Sequence, residues 1–273
     1  MQAVKSLFRS VLTTRPLAPL RRFIRRRRAS ILSRDDDARI ALYRQFLRAG
    51  DLCFDVGANI GNRLRVFRRL GARVIAFEPQ SSCFSYLKDV YERDQGVVLV
   101  KKALGCSVGT AEMAVSTYDV FSSLSTDFVS RVIKTGRFDT KWDKNEVVQV
   151  TTLDSAISQY GRPRFIKIDV EGFELEVLRG LATPVPALSF EWTPEMTPEI
   201  LACLDHIGSL GPAEFNISYG ESMRLSHLVW FGLQQMKDIV NVLKDDTWLF
   251  GDIYIRSQLD HERHRISPVG SHC

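Results

Sequence analysis

The feature that most constrains this chain is the turn Asp55-Val56-Gly57-Ala58-Asn59-Ile60-Gly61. It separates an apolar run, Leu52 to Val56, from Ile60, Leu64 and Phe67 at helical spacing. Glycine supplies the positive φ and the close backbone approach that a tight strand-to-helix reversal needs, and Gly71 closes the helix. Strand, glycine turn and helix make a βα unit. The unit repeats: Val74 to Phe77 reads as a second strand, Ser81 or Ser82 as the cap of a helix burying Phe84, Leu87 and Tyr91, and Val97 to Val100 as a third strand. Such alternation predicts a parallel sheet with helices on both faces.

Other segments extend the pattern. Asp35 to Gly50 places Ile40, Tyr43, Phe46 and Leu47 on one helical face, with acids at its start and glycine at its end. Gly105 to Ser116, rich in small residues, reads as an inserted hairpin before Ser122-Ser123-Leu124. Val147 to Thr151, Phe165 to Val170 and Ala187 to Glu191 are strand-like. Thr197-Pro198-Glu199 starts a helix with a capping hydroxyl and an early proline. Phe215, Ile217 and Tyr219 alternate as a strand, as do Ile253 and Ile255, with the more helical Leu228 to Leu243 between them.

In an open α/β sheet, ligands bind beyond the C-terminal strand ends. The first turn reads D-x-G-x-x-x-G, not the closely spaced glycines of a dinucleotide site, and an acid there would repel a pyrophosphate. S-adenosylmethionine fits better, having no phosphate but an ammonium, a carboxylate, a sulfonium and a ribose diol. Asp55 can serve the cationic side, and the amides of Gly57, Asn59 and Gly61 can meet the carboxylate. Glu78, ending the second strand, can accept the ribose hydroxyls, and Ala103 and Leu104 beyond the third can frame adenine. Taken singly, Gly57 and Gly61 could be plain turn glycines and Glu78 a solvated strand end; their placement at successive strand ends favours the cofactor.

These residues, with Phe77-Glu78-Pro79 and above all Phe165-Ile166-Lys167-Ile168-Asp169-Val170-Glu171-Gly172-Phe173-Glu174, resemble the FkbM-type methyltransferases. Thr152-Leu153-Asp154 and Ser122-Ser123-Leu124 are similar to further segments of that family, and the likeness covers about residues 50 to 256. It implies an α/β, class I methyltransferase Rossmann-like fold: a mostly parallel seven-stranded sheet with helices on both faces, its last two strands an antiparallel hairpin. It also implies O-methylation of a hydroxyl on a sugar, glycan or secondary metabolite, without naming the acceptor.

Lys167, Asp169 and Glu171 fall at the strand-to-helix edge where an acceptor would meet the sulfonium, and they are the catalytic candidates. A hydroxyl becomes a good nucleophile only when its proton is accepted, so Asp169 is the first candidate base and Glu171 the second. Glu174 and Glu176 read as early-turn acids favoured by the helix dipole. Asp169 and Glu191 together could hold Mg²⁺, but no metal is assigned. His227 is a lesser candidate base, and His261, His264, His272 and Cys273 lie in a tail without periodicity. The insertion Gly220 to Asp246, with Trp230 and Phe231, is expected to form part of the acceptor wall.

Charge divides the chain. Met1 to Arg34 holds one lysine and nine arginines with no acid, so the net charge of +5 conceals a body of about −5. The expected division is a basic N-terminal arm (1–34), a methyltransferase domain (35–256) and a C-terminal tail (257–273). The arm, with its apolar stripe Leu7, Phe8, Val11 and Leu12, suggests a solvated tether or peripheral contact with an anionic membrane. No run of about 18 apolar residues occurs. Five scattered cysteines without a Cys-x-x-Cys pair suit a reducing compartment, hence a cytoplasmic location, with membrane-peripheral contact one reading of the arm. A nucleic-acid methyltransferase is the rival suggested by the basic arm, although the fourth strand ends in Asp169-Val170-Glu171-Gly172 rather than an Asn/Asp-Pro-Pro-aromatic turn. A scaffold that holds the cofactor without transfer is a second rival, and an oxidoreductase a third.

Overall fold

The computed structural model describes residues 22, 24–26, 34–116, 122–135, 141–246 and 248–258. The apolar stripe of the arm and the histidines of the tail lie outside them. In chain order the elements are α1 (Arg34–Tyr43), β1 (Leu52–Val56), α2 (Asn62–Arg69), β2 (Arg73–Phe77), α3 (Ser81–Tyr91) and β3 (Val97–Val100). Then come β4 (Ala103–Leu104), β5 (Gly109–Ser116), α4 (Thr126–Thr135), β6 (Trp142–Thr151), α5 (Leu153–Tyr160), β7 (Phe165–Ile168) and α6 (Glu174–Arg179). The last are β8 (Ala187–Trp192), α7 (Thr197–Leu210), β9 (Ala213–Tyr219), α8 (Leu233–Leu243) and β10 (Gly251–Ser257).

Seven strands form one sheet in the order β3-β2-β1-β7-β8-β10-β9. All its pairings are parallel except those of β10, which runs antiparallel to both β8 and β9. The chain winds outward from β1 to β3, then restarts at β7 on the other side. The gap between β1 and β7 is thus the switch point where such sheets bind ligands.

Period-two alternation divides the side chains between two cores. Phe54, Val56, Ile166, Ile168, Phe190 and Ile253 face one, packed under α5, α6, α7 and α8. Cys53, Val74, Ala76, Phe165 and Tyr254 face the other, under α1, α2 and α3. That second face also carries polar groups in register: Asp55 pairs with Lys167, Lys167 with Ser189, and Asp252 with Glu191. A row of ionisable groups therefore crosses the sheet beneath α1 and α2.

Several sequence expectations change here. Gly105 to Ser116 is not a self-contained hairpin: β4 and β5 flank β6 in a separate three-stranded sheet, because the partner strand arrives only at Trp142. Gln80, not a serine, holds the N-cap position of α3 without a side-chain cap, and the Ser81 hydroxyl turns instead to Glu146. Thr197 is the first residue of α7, and its hydroxyl donates to the Pro194 carbonyl at 2.8 Å. The arm also touches the body: Arg22 and Arg25 reach the buried Asp89 carboxylate at 3.1 and 2.7 Å, and Arg26 its carbonyl at 2.9 Å. No helix among the described residues is long and apolar enough to cross a membrane.

Candidate active site

At the C-terminal ends of β1, β2, β7 and β8 opens a cavity of about 260 Å³. Asp55, Gly57, Asn59, Glu78, Ala103, Leu104, Asp169 and Glu171 line it, so eight of the ten sequence candidates meet there. Lys167 and Gly61 do not line it. A Cβ on Gly61 would meet Leu87 and Tyr91 at 3.0 Å, so this glycine lets α2 and α3 approach.

Gly57 has φ +79°, and a Cβ on it would fall 1.8 Å from the Asp169 carbonyl oxygen. Only glycine lets the ends of β1 and β7 come this close. The turn's own amides are largely engaged: those of Gly57 and Ala58 donate to the Phe77 carbonyl, both at 3.0 Å, and that of Gly61 to Ala58. The Glu78 carboxylate, 5% exposed, accepts the Asn59 amide at 2.7 Å and the Gln80 amide at 2.8 Å. Glu78 therefore holds the glycine turn in shape and also faces the cavity.

Asp55 is 1% exposed, and its Oδ2 has no partner among the described residues. Burial lifts its carboxyl to about 7, with Lys167 opposing and Asp169 adding to the rise. Lys167, also 1% exposed, places Nζ 2.8 Å from Asp252 and 3.4 Å from Asp169. Burial works against its charge, but Asp169 and Asp252 more than reverse this and hold the ammonium above the usual lysine range. It sits behind Asp169, out of reach of a ligand.

Asp169, about one-third exposed, opens into the cavity. Its carboxylate, with those of Glu171 and Glu191, forms a group whose atoms lie within 4.8 Å of one another. Burial, then Asp169 and Glu174, push Glu171 well above the carboxylate range. Glu191 rises likewise, through burial and then Glu171 and Asp169. The turn carrying Asp169 and Glu171 is tightly held: Glu171 has φ 53°, and its carbonyl accepts the Ser123 hydroxyl at 2.6 Å. Glu174, read from sequence as an early-turn acid favoured by the helix dipole, is buried; it accepts the Val170 and Gly172 amides at 3.2 and 3.3 Å. Burial raises it to about 7.

The insertion contributes little to the cavity. Trp230 lies under Arg256 at 4.3 Å and beside Phe46, and His227 packs edge-on to Phe231. None of the three lines the cavity; Glu221 does, with Arg39, Asn62, Arg63 and Glu191. Arg39 and Arg63 escaped sequence reading because a lone arginine on an amphipathic helix looks like an ordinary solvated charge.

The raised carboxyls fix the sign of a pH effect. Asp55 and Glu174 hold protons up to about 7 when folded, whereas unfolded carboxyls release theirs near 4. Between those values the native state binds more protons, so stability falls as pH rises. Calorimetry on the ligand-free protein is expected to give a Tm several degrees higher at about pH 5.5 than at about pH 8. A Tm that rises over this interval would contradict the assignment.

The description "Methyltransferase FkbM domain" matches residues 55–209, more than half of the chain, and the protein belongs to that family. Its sheet has the class I arrangement that the resemblance implies. Over 143 residues it is 31% identical to the hexuronic acid methyltransferase AglP of Haloferax volcanii, covering 51% of this chain and 54% of that protein. The chain thus spans about half the length of this curated relative. Among solved structures it is similar to precorrin-6y C5,15-methyltransferase from Geobacter metallireducens, with 10% identity, TM-score 0.42, and coverage of 81% of this chain and 88% of that one. An rRNA methylase from Streptococcus thermophilus is similar with 11% identity, TM-score 0.39, and coverage of 84% and 100%.

Proposed function

We propose that the protein is an S-adenosylmethionine-dependent methyltransferase acting on a hydroxyl of a sugar, glycan or secondary metabolite. One observation carries this reading: Asp169 opens into the same cavity as Glu78 and the glycine turn, with a buried ammonium fixed behind it. The name of AglP, a hexuronic acid methyltransferase, favours a sugar acceptor.

The cavity suits the donor. Glu78 offers a carboxylate for a diol, Asp55 an unpartnered buried oxygen for a cation, and Ala103, Leu104 and Met113 an apolar wall for a flat base. When bound, S-adenosylmethionine supplies an electrophilic methyl group. The chain's part is to hold the acceptor oxygen and take its proton. Asp169 accepts that proton as the oxygen bonds to the methyl carbon, whose bond to sulfur breaks with its electron pair left on the thioether product. Lys167 positions Asp169 and balances its charge, so its role is positioning. Glu171 and Glu191, their protons retained by burial, can donate hydrogen bonds to neighbouring oxygens.

Glu78→Ala is expected to weaken S-adenosylmethionine binding by about 1–3 kcal/mol, the penalty for leaving hydrogen-bonding groups without a partner. Calorimetric titration measures it, and unchanged affinity in a folded variant would falsify the ribose assignment. Transfer itself is tested by release of S-adenosylhomocysteine in the presence of sugar acceptors. Cofactor binding without any such release would favour the scaffold reading.

A further inference from the structure

Arg39 on α1 and Arg63 at the start of α2 both line the cavity, and the side chain of each is only 13% exposed. Both reach one carboxylate, that of Glu221, while Arg39 Nη1 also donates to the buried Asp36 carboxylate at 3.3 Å. Arg39 Nη2 donates to Glu221 Oε2 at 3.2 Å, and Arg63 Nη2 reaches Oε2 and Oε1 at 3.4 and 3.5 Å. These contacts are long for charge-assisted bonds, which form at about 2.7–2.9 Å. The Nε atoms of both arginines are buried without partners among the described residues. Glu221, in the loop after β9, is 59% exposed.

Two mostly buried guanidiniums thus share one loosely held, solvent-facing glutamate. A guanidinium presents its donors as a planar fork that matches a carboxylate with two parallel bonds, and burying one without such a partner is costly. Glu221 meets this need poorly and is mostly exposed to solvent. We infer that Arg39 and Arg63 form a receptor for a carboxylate on the methyl acceptor, which Glu221 occupies until the acceptor displaces it.

The inference rests on the methyl-transfer reading and narrows its substrate class to acidic sugars and similar hydroxy acids. The donor also carries a carboxylate. The titrations therefore separate that carboxylate from the acceptor's. Arg39 precedes β1 and Glu221 follows β9, so two of the three groups lie outside the β1-to-β3 half that carries the cofactor candidates.

The test uses the full chain with glucuronate, glucose and S-adenosylhomocysteine as probes in calorimetric titrations. Saturated with S-adenosylhomocysteine, the protein is expected to bind glucuronate at least tenfold more tightly than glucose. Arg39→Gln and Arg63→Gln should each weaken glucuronate tenfold or more and leave S-adenosylhomocysteine within about twofold. Glu221→Gln, in an exposed loop, should strengthen glucuronate severalfold by removing the competitor. If the arginine variants weaken S-adenosylhomocysteine instead and glucuronate binds no better than glucose, the receptor serves the donor and the acceptor assignment is overturned. If Glu221→Gln leaves glucuronate affinity unchanged or lowers it, displacement is overturned. Failure of the unaltered protein to bind S-adenosylhomocysteine would remove the methyl-transfer reading; glucuronate preference measured without it would still decide the receptor.

Discussion

Replacing Asp169 with asparagine is expected to cost roughly 10²–10⁴ in turnover while S-adenosylmethionine affinity holds. Asparagine preserves the shape of the side chain at the end of β7 but cannot take a proton. Lys167 keeps its 2.8 Å contact with Asp252, so the buried ammonium is not orphaned and the variant should fold. Because the base must be ionised to act, the variant should also lose the acidic limb of the wild-type pH-rate profile. Full activity on the true acceptor would remove Asp169 from the chemistry and leave Glu171 and Glu191 as the remaining carboxylates beside it. EDTA separates a different role: inactivation reversed by Mg²⁺ would make Asp169, Glu171 and Glu191 ligands, since their oxygens already converge.

Lys167→Met should produce the largest loss of stability, about 3–5 kcal/mol, the usual cost of removing one member of a buried ion pair. Methionine matches the length of the lysine stem but leaves Asp252, only 7% exposed, without its cation. Urea denaturation measures the loss. The double variant Lys167→Met with Asp252→Asn should recover part of it, because the stranded charge is then gone. A single variant as stable as the parent would mean that Asp252 is satisfied without Lys167, and its place behind Asp169 would need another explanation.

Much of this was legible in the sequence, for identifiable reasons. The βα units were readable because periods of two and of 3.6 differ sharply when a strand is apolar and its turn contains glycine. Asp55, Glu78 and Asp169 were readable because each ends such a strand, and strand ends in this architecture face one cavity. What local pattern could not supply was pairing across long separations. Asp252 meets Lys167 across 85 positions, and nothing near either residue announces the other. Glu174 looked like a helix-dipole acid because its first-turn position is common to both roles; only its burial against Val170 and Gly172 shows that it clamps the turn. Arg39, Arg63 and Glu221 come from three separate segments and share no motif.

The place of β10 has a consequence for biosynthesis. This last strand of the described chain, Gly251–Ser257, is inserted between β8 and β9 and does not lie at the sheet's edge. A chain emerging from the ribosome can assemble β1 to β3 and β7 early, but β8 and β9 lack their shared neighbour until residue 257 has cleared the exit tunnel. The same strand delivers Asp252 to Lys167, so closing the sheet also completes the ion pair behind Asp169. Nascent chains halted before Gly251 should therefore expose two unpaired strand edges and lack Asp252, making them substrates for chaperones.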